Sequence, residues 1–197
     1  MSRECLIRFL GVREDCVASA LGSLGHRARS LEKVDRAFSF GIIMSCMNIN
    51  EIRQFLIKAN RNGYGNESVK PIEEIDGSHT IIFEDGDYRC HDNYFGGEPF
   101  GGREVISYSD KAVWMMVYYG FVEDVSLQAQ VYVFLKESLL LFNDDLPFRG
   151  PARYENGDWL YINKVNGNFD NFYGEEIISY KNQEVYKTRY QGGLVDV

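Results

Sequence analysis

Alternation of apolar and polar side chains governs most of the chain from residue 79 onward, interrupted by short polar or glycine-bearing turns. A period of two marks half-buried strands. In F-G-G-R-E-V-I-S-Y (100–108) it places Glu104, Ile106 and Tyr108 on one face, and in the next run Trp114, Met116 and Tyr118. Near the C-terminus Tyr186, Thr188 and Tyr190 share a face, while Val185, Lys187 and Arg189 form the other, which reads as solvated. Two stretches change to helical spacing. Ile49, Ile52, Phe55, Leu56 and Ala59 form a stripe introduced by Asn48 and Glu51 at capping-box spacing and stopped by Gly63. Leu127, Val131, Phe134, Leu135, Leu139 and Phe142 form a second, within 126–142, with Glu123 and Asp124 at its positive end.

The strand pattern occurs twice. Shifted by 72 residues, 100–108 falls on F-Y-G-E-E-I-I-S-Y (172–180), and nine of the 21 positions from 100 to 120 are identical to their counterparts. Ordinary residue usage would give roughly one or two. Glu104 pairs with Glu176 in this comparison, Tyr118 with Tyr190 and Trp114 with Tyr186. Upstream, at a shift of 71, E-D-G-D-Y (84–88) matches E-N-G-D-W (155–159). Asp85-Gly86 and Asn156-Gly157 are signatures of two-residue type I′ hairpin turns, and the polar groups 109–111 and 181–183 turn a second hairpin in each copy. The expectation is an α+β fold: a helix plus a four-stranded antiparallel meander, duplicated over about 79–121 and 151–193. The sheets would join as one large curved sheet or an open barrel with two packed helices.

Residues 1–46 differ in style, with no sustained period and a net charge of +2 against −10 for the remainder. They read as a loosely ordered extension, with Met47 standing where the compact domain of 47–197 begins and where a start codon would fit better. The competing reading is a basic tail that binds a partner.

A net charge of −8 disfavours nucleic acid and anionic membrane as partners. No apolar run approaches the roughly 18 residues of a membrane span and no signal-peptide pattern opens the chain, which makes the cytoplasm the default. Cys5, Cys16, Cys46 and Cys90 lack ligand spacing and a matching His pair, so they read as reduced thiols and no metal site is expected. No cofactor motif stands out. G-G-E-P-F-G-G (96–102) contains an acid, lacks Lys and precedes no helix, which makes it a strand connection or a flap rather than a phosphate loop.

Chemistry concentrates on the aromatic face. A buried carboxylate is costly unless bonded or neutralised, and this face carries one in each half. One reading makes Glu104 and Glu176 architectural, holding loops or tyrosine hydroxyls. The other makes them part of an enclosed pocket lined by Trp114, Tyr118, Tyr186 and Tyr190, with Arg149 of R-G-P (149–151) as counter-ion. An enzyme would use Glu104 or Glu176 as acid/base, assisted by Arg149 or His91. A third reading is an interaction module that pairs with a partner or with itself as a homo-oligomer.

G-D-Y (86–88), D-N-Y-F-G-G (92–97), F-G-G-R-E-V (100–105), V-W-M-M-V-Y-Y-G (113–120), R-G-P (149–151) and G-G-L (192–194) together resemble a family of prokaryotic domains of unknown function. Its members occur alone or behind a repressor-type helix-turn-helix domain. The resemblance spans about 47–195, with Ala112 where Pro is expected. It implies a sensor-like module that binds a small molecule, and supplies no activity to transfer. No helix-turn-helix is legible in this chain.

Overall fold

The computed structural model describes residues 48–63, 69–142 and 144–196. The expectations placed on residues 1–46 lie outside these. The elements run α1 (Ile49–Asn62), β1 (Ile72–Glu73), β2 (His79–Asp85), β3 (Tyr88–Phe95), β4 (Phe100–Tyr108), β5 (Lys111–Val122), a 3-10 turn (Val125–Leu127), α2 (Gln128–Leu139), β6 (Arg153–Asn156), β7 (Trp159–Asn168), β8 (Asn171–Tyr180) and β9 (Gln183–Leu194). All strands are antiparallel and belong to one sheet of order β1-β2-β3-β4-β5-β9-β8-β7-β6. The sheet stays open, with β1 and β6 as edges, so the barrel alternative does not hold. The architecture is sheet-dominated, with two α-helices among the described residues, compatible with α+β in its broad sense.

Turn chemistry sets the registers. Asp85 pairs with Tyr88 and Asn156 with Trp159, so the loops are Gly86-Asp87 and Gly157-Asp158, one residue later than the type I′ reading placed them. Gly86 and Gly157 have φ of 62° and 60°, and the aspartates that follow are not left-handed. Glycine at the first central position is the type II′ arrangement. The second hairpins are the type I′ ones: Ser109 and Asp110 have φ of 47° and 65°, and Lys181 and Asn182 have 50° and 65°.

Each of these hairpins then carries a bulge, between Ile106 and Ser107 on β4 against β5 and between Ile178 and Ser179 on β8 against β9. Ile106 pairs with Trp114 and Ser107 with Ala112, which leaves Val113 as the extra residue; Val185 is left over in the same way. An extra residue breaks the alternation. Val113-Trp114 and Val185-Tyr186 are therefore consecutive buried pairs, and Val185, expected on a solvated face, is 4% exposed.

The helices cover one face of the sheet. α1 buries Ile52, Phe55, Leu56, Ile57 and Ala59, and the Phe55 ring lies 5.7 Å from Phe83 and 5.1 Å from Tyr88. From α2, Val131, Phe134 and Leu135 pack with Val122, Tyr161, Ile178, Val185 and Tyr186. Phe134 also meets Trp159, which in turn lies against Tyr180. Under the end of the sheet, Trp114 is fully buried among Phe148, Phe169 and Phe172 and donates its indole N–H to the Phe169 carbonyl at 3.1 Å. Full burial of side chains of this size contributes roughly 1.5–3 kcal/mol each. The opposite face keeps Val117, Tyr119 and Tyr173 exposed. Among the described residues no helix is long and apolar enough to cross a membrane.

Candidate functional site

Both glutamates point into the covered face, each opposite a polar residue on the strand before it: Asp92 on β3 faces Glu104, and Asn163 on β7 faces Glu176. All four are buried. A tyrosine closes each group: Tyr118 donates its hydroxyl to Asp92 Oδ1 at 2.7 Å, and Tyr190 to Asn163 Oδ1 at 2.6 Å. Glycine makes room for these rings. A Cβ at Gly102 would come within 2.6 Å of the Tyr118 hydroxyl, and one at Gly174 within 2.3 Å of the Tyr190 ring.

The surroundings then diverge. Glu176 is fully buried and satisfied on both oxygens. Oε2 accepts from Arg149 Nε at 2.8 Å and Nη2 at 2.7 Å, while Oε1 accepts from the Tyr161 hydroxyl. The Tyr161 oxygen also receives the Gly150 N–H at 3.0 Å, and Asn163 Nδ2 donates to the Gly150 carbonyl at 3.0 Å. R-G-P is thus clamped to the core by side chains from β7 and β8. A buried pair of this quality is a lock whose loss is costly, because either partner left alone is an uncompensated charge.

In the other half no arginine serves Glu104 in this way. Its Oε1 accepts the Cys90 thiol at 3.2 Å, and its other near neighbour is the Asp92 carboxyl. Burial, and then the charge of Asp92, push the Glu104 carboxyl up to about 8; the Cys90 contact and the charge of Arg149 pull the other way without prevailing. Burial, reinforced by Glu104, raises the Cys90 thiol as well, which keeps it inert. This half therefore retains a proton near neutrality where the other holds a fixed ion pair.

Beside Tyr118 and Arg149 opens a cleft of about 680 Å³, bounded by α2, the end of α1 and the covered face of β2–β5. Ile81, Tyr94, Phe100, Tyr118, Tyr132, Leu135 and Leu139 provide apolar and aromatic walls, Gly96 and Gly97 the rim, and Lys136, Gln128 and Arg149 the polar groups. The Arg149 guanidinium sits 5.8 Å from the Tyr118 ring centre. A separate void of about 10 Å³, at the lower limit for one water, touches Cys90, Asp92 and Glu104 and shares Gly63 and Ile81 with the cleft.

The 96–102 connection is fastened rather than hanging free as a flap. Glu98 accepts the Val122 N–H at 2.7 Å and the Tyr132 hydroxyl at 2.7 Å. That hydroxyl also lies 2.7 Å from the Gly97 carbonyl.

A profile of a domain of unknown function, DUF5680, matches residues 92–195. The chain belongs to this family. No curated protein and no solved structure matches it. The DUF5680 segment contains both glutamates, Arg149 and Tyr118, whereas Gly63, Val69 and Ile81, which complete the cleft, precede it. The family resemblance read over 47–195 thus rests on the shorter span 92–195, and G-D-Y (86–88) lies before it.

Of the pocket residues expected from sequence, Tyr118 and Arg149 line the cleft. Trp114, Tyr186, Tyr190 and Glu176 are packed into the core instead. Glu104 touches only the small void. An enclosed pocket joining all seven does not form, because Phe148, Phe169 and Phe172 fill the space around Trp114. His91 cannot assist Glu104: it adjoins Asp92 on β3 and therefore points to the opposite face. Among the described residues no group of three or more His, Cys, Asp or Glu could hold a metal. Cys90, Asp92, Tyr161 and Asn163 were not expected at the site. Continuing the 71-residue shift past 88/159 would have aligned Cys90 with Tyr161 and Asp92 with Asn163.

Proposed function

We propose that this domain is a small-molecule-binding module, with its ligand in the cleft beside Tyr118 and Arg149. The observation that carries this reading is the recess itself: about 680 Å³ with aromatic walls and a few convergent polar groups, within the 300–1,000 Å³ range of ligand sites. The repeated halves supply a rigid frame, read as an ancient duplication, and the cleft lies off its symmetry, where the halves differ. A thermal-shift screen of metabolites against the full chain and against Leu139→Trp, which places an indole in the cleft, tests the proposal. Stabilisation lost in Leu139→Trp supports it; equal stabilisation of both proteins counts against it.

A second reading, an acid/base enzyme, is favoured by one observation. The protonated Glu104–Asp92 pair adjoins a void that shares two lining residues with the cleft. For that chemistry a ligand atom must reach Glu104 past Ile81. Turnover of a captured ligand, abolished by Glu104→Gln with binding intact, is the result expected of it.

A further inference from the structure

We infer that the cleft ligand is an amphipathic organic anion: an apolar or aromatic body carrying one carboxylate or comparable acidic group. The inference rests on reading the cleft as the ligand site. In a chain of net charge −8, the charged side chains that line this cleft are Lys136 and Arg149, with no acid among them. The carboxylates behind its wall are directed elsewhere: Glu176 onto Arg149 and Tyr161, Asp92 onto Tyr118, and Glu98 onto Val122 and Tyr132. A molecule in the cleft therefore meets cationic donors at contact distance.

The two cations do different work. Arg149 is compensated by Glu176, so it contributes direction and a flat surface rather than net charge. Lys136 is exposed on α2 and supplies the positive charge at the mouth. Its reach is suited to a ligand that leaves its acidic group near water and buries its body against Ile81, Leu135 and Leu139. A cationic ligand would face like charge there, and a strongly hydrated sugar would waste the apolar walls.

Two fluorescent probes of similar size separate charge from apolarity: the anion 8-anilinonaphthalene-1-sulfonate and the neutral N-phenyl-1-naphthylamine. They would be titrated into the full chain, Lys136→Glu and Leu139→Trp, each first shown to melt cooperatively. The expected result is one-to-one anion binding, lost in Leu139→Trp and weakened about tenfold or more in Lys136→Glu, the effect of losing one charge-assisted contact. The neutral probe should change less than about twofold in Lys136→Glu. If Lys136→Glu leaves both probes unchanged while Leu139→Trp removes them, the cleft binds neutral molecules; the anion inference is overturned and the ligand-binding reading stands. If neither probe binds the full chain, or Leu139→Trp binds both as well as it does, both readings fail.

Discussion

Asp92 and Glu104 stand directly opposite each other on adjacent strands, both buried, at a place where the other half of the sheet pairs Asn163 with Glu176. One amide exchanged for a carboxyl separates a group that holds a proton from one that holds an arginine. The consequences are measurable in pH dependence.

Glu104 is raised in the folded protein to about 8 from an ordinary value of 4.5. Between these values the folded state binds the proton that the unfolded chain has released, so this residue's contribution to stability falls as pH rises through that window. Below it the contribution is fully present. Glu104→Gln should flatten that part of the stability-against-pH curve and make the protein relatively more stable than wild type near pH 9. Urea melts at intervals from pH 5 to 9 provide the test; an unchanged slope would show that Glu104 is ionised throughout.

Asp92→Asn should imitate the second half. Removing the neighbouring charge lowers the Glu104 pKa, so the pH window of the previous prediction shortens from its upper end. The asparagine oxygen can still accept from Tyr118, as Asn163 does from Tyr190. Carboxyl titration followed by isotope-edited infrared or NMR spectroscopy reads the shift directly.

Arg149→Met strips Glu176 of its cation while leaving the carboxylate fully buried. A loss of about 3–5 kcal/mol is expected. Adding Glu176→Gln to Arg149→Met should restore part of it, since no charge is then stranded. Chemical denaturation of the two single variants and the double variant gives the coupling energy, and independent, additive losses would contradict the lock described for R-G-P.

Gly102→Ala and Gly174→Ala set a methyl group against Tyr118 and Tyr190 respectively. Each should cost about 1–3 kcal/mol through forced movement of the ring. Their effects on binding should differ, because Tyr118 lines the cleft and Tyr190 does not. Probe binding measured on both variants should weaken only in Gly102→Ala.

Much of the fold was legible because the two periodicities are clean. The strand faces of Glu104, Ile106, Trp114 and Tyr118, the stripe of α1 and the paired hairpins follow from side-chain alternation and turn residues. Val185 was misplaced because a bulge is a backbone event, and its sequence carries no mark beyond two apolar residues in succession. The type I′ and II′ turns were confused because D-G and N-G fit both, and the pairing register decides between them. The site was less legible for a different reason. Tyr186 and Tyr190 resemble Tyr118 in pattern, and only the three-dimensional filling by Phe148, Phe169 and Phe172 decides which aromatic side chains enclose space and which occupy it. Arg149 could be named as a counter-ion, yet its partner required the fold to bring β8 beneath the R-G-P bend.

The protein has two tryptophans, and their settings are opposite. Trp114 has no exposed surface and is stacked among three phenylalanines, whereas Trp159 is partly exposed between Phe134 of α2 and Tyr180 of β8. Emission from the first should be blue and shielded from acrylamide; emission from the second should be redder and readily quenched. The chain thus contains a pair of intrinsic optical reporters, one on the phenylalanine-packed interior and one on the seating of α2, which separates loosening of that helix from global unfolding without any label.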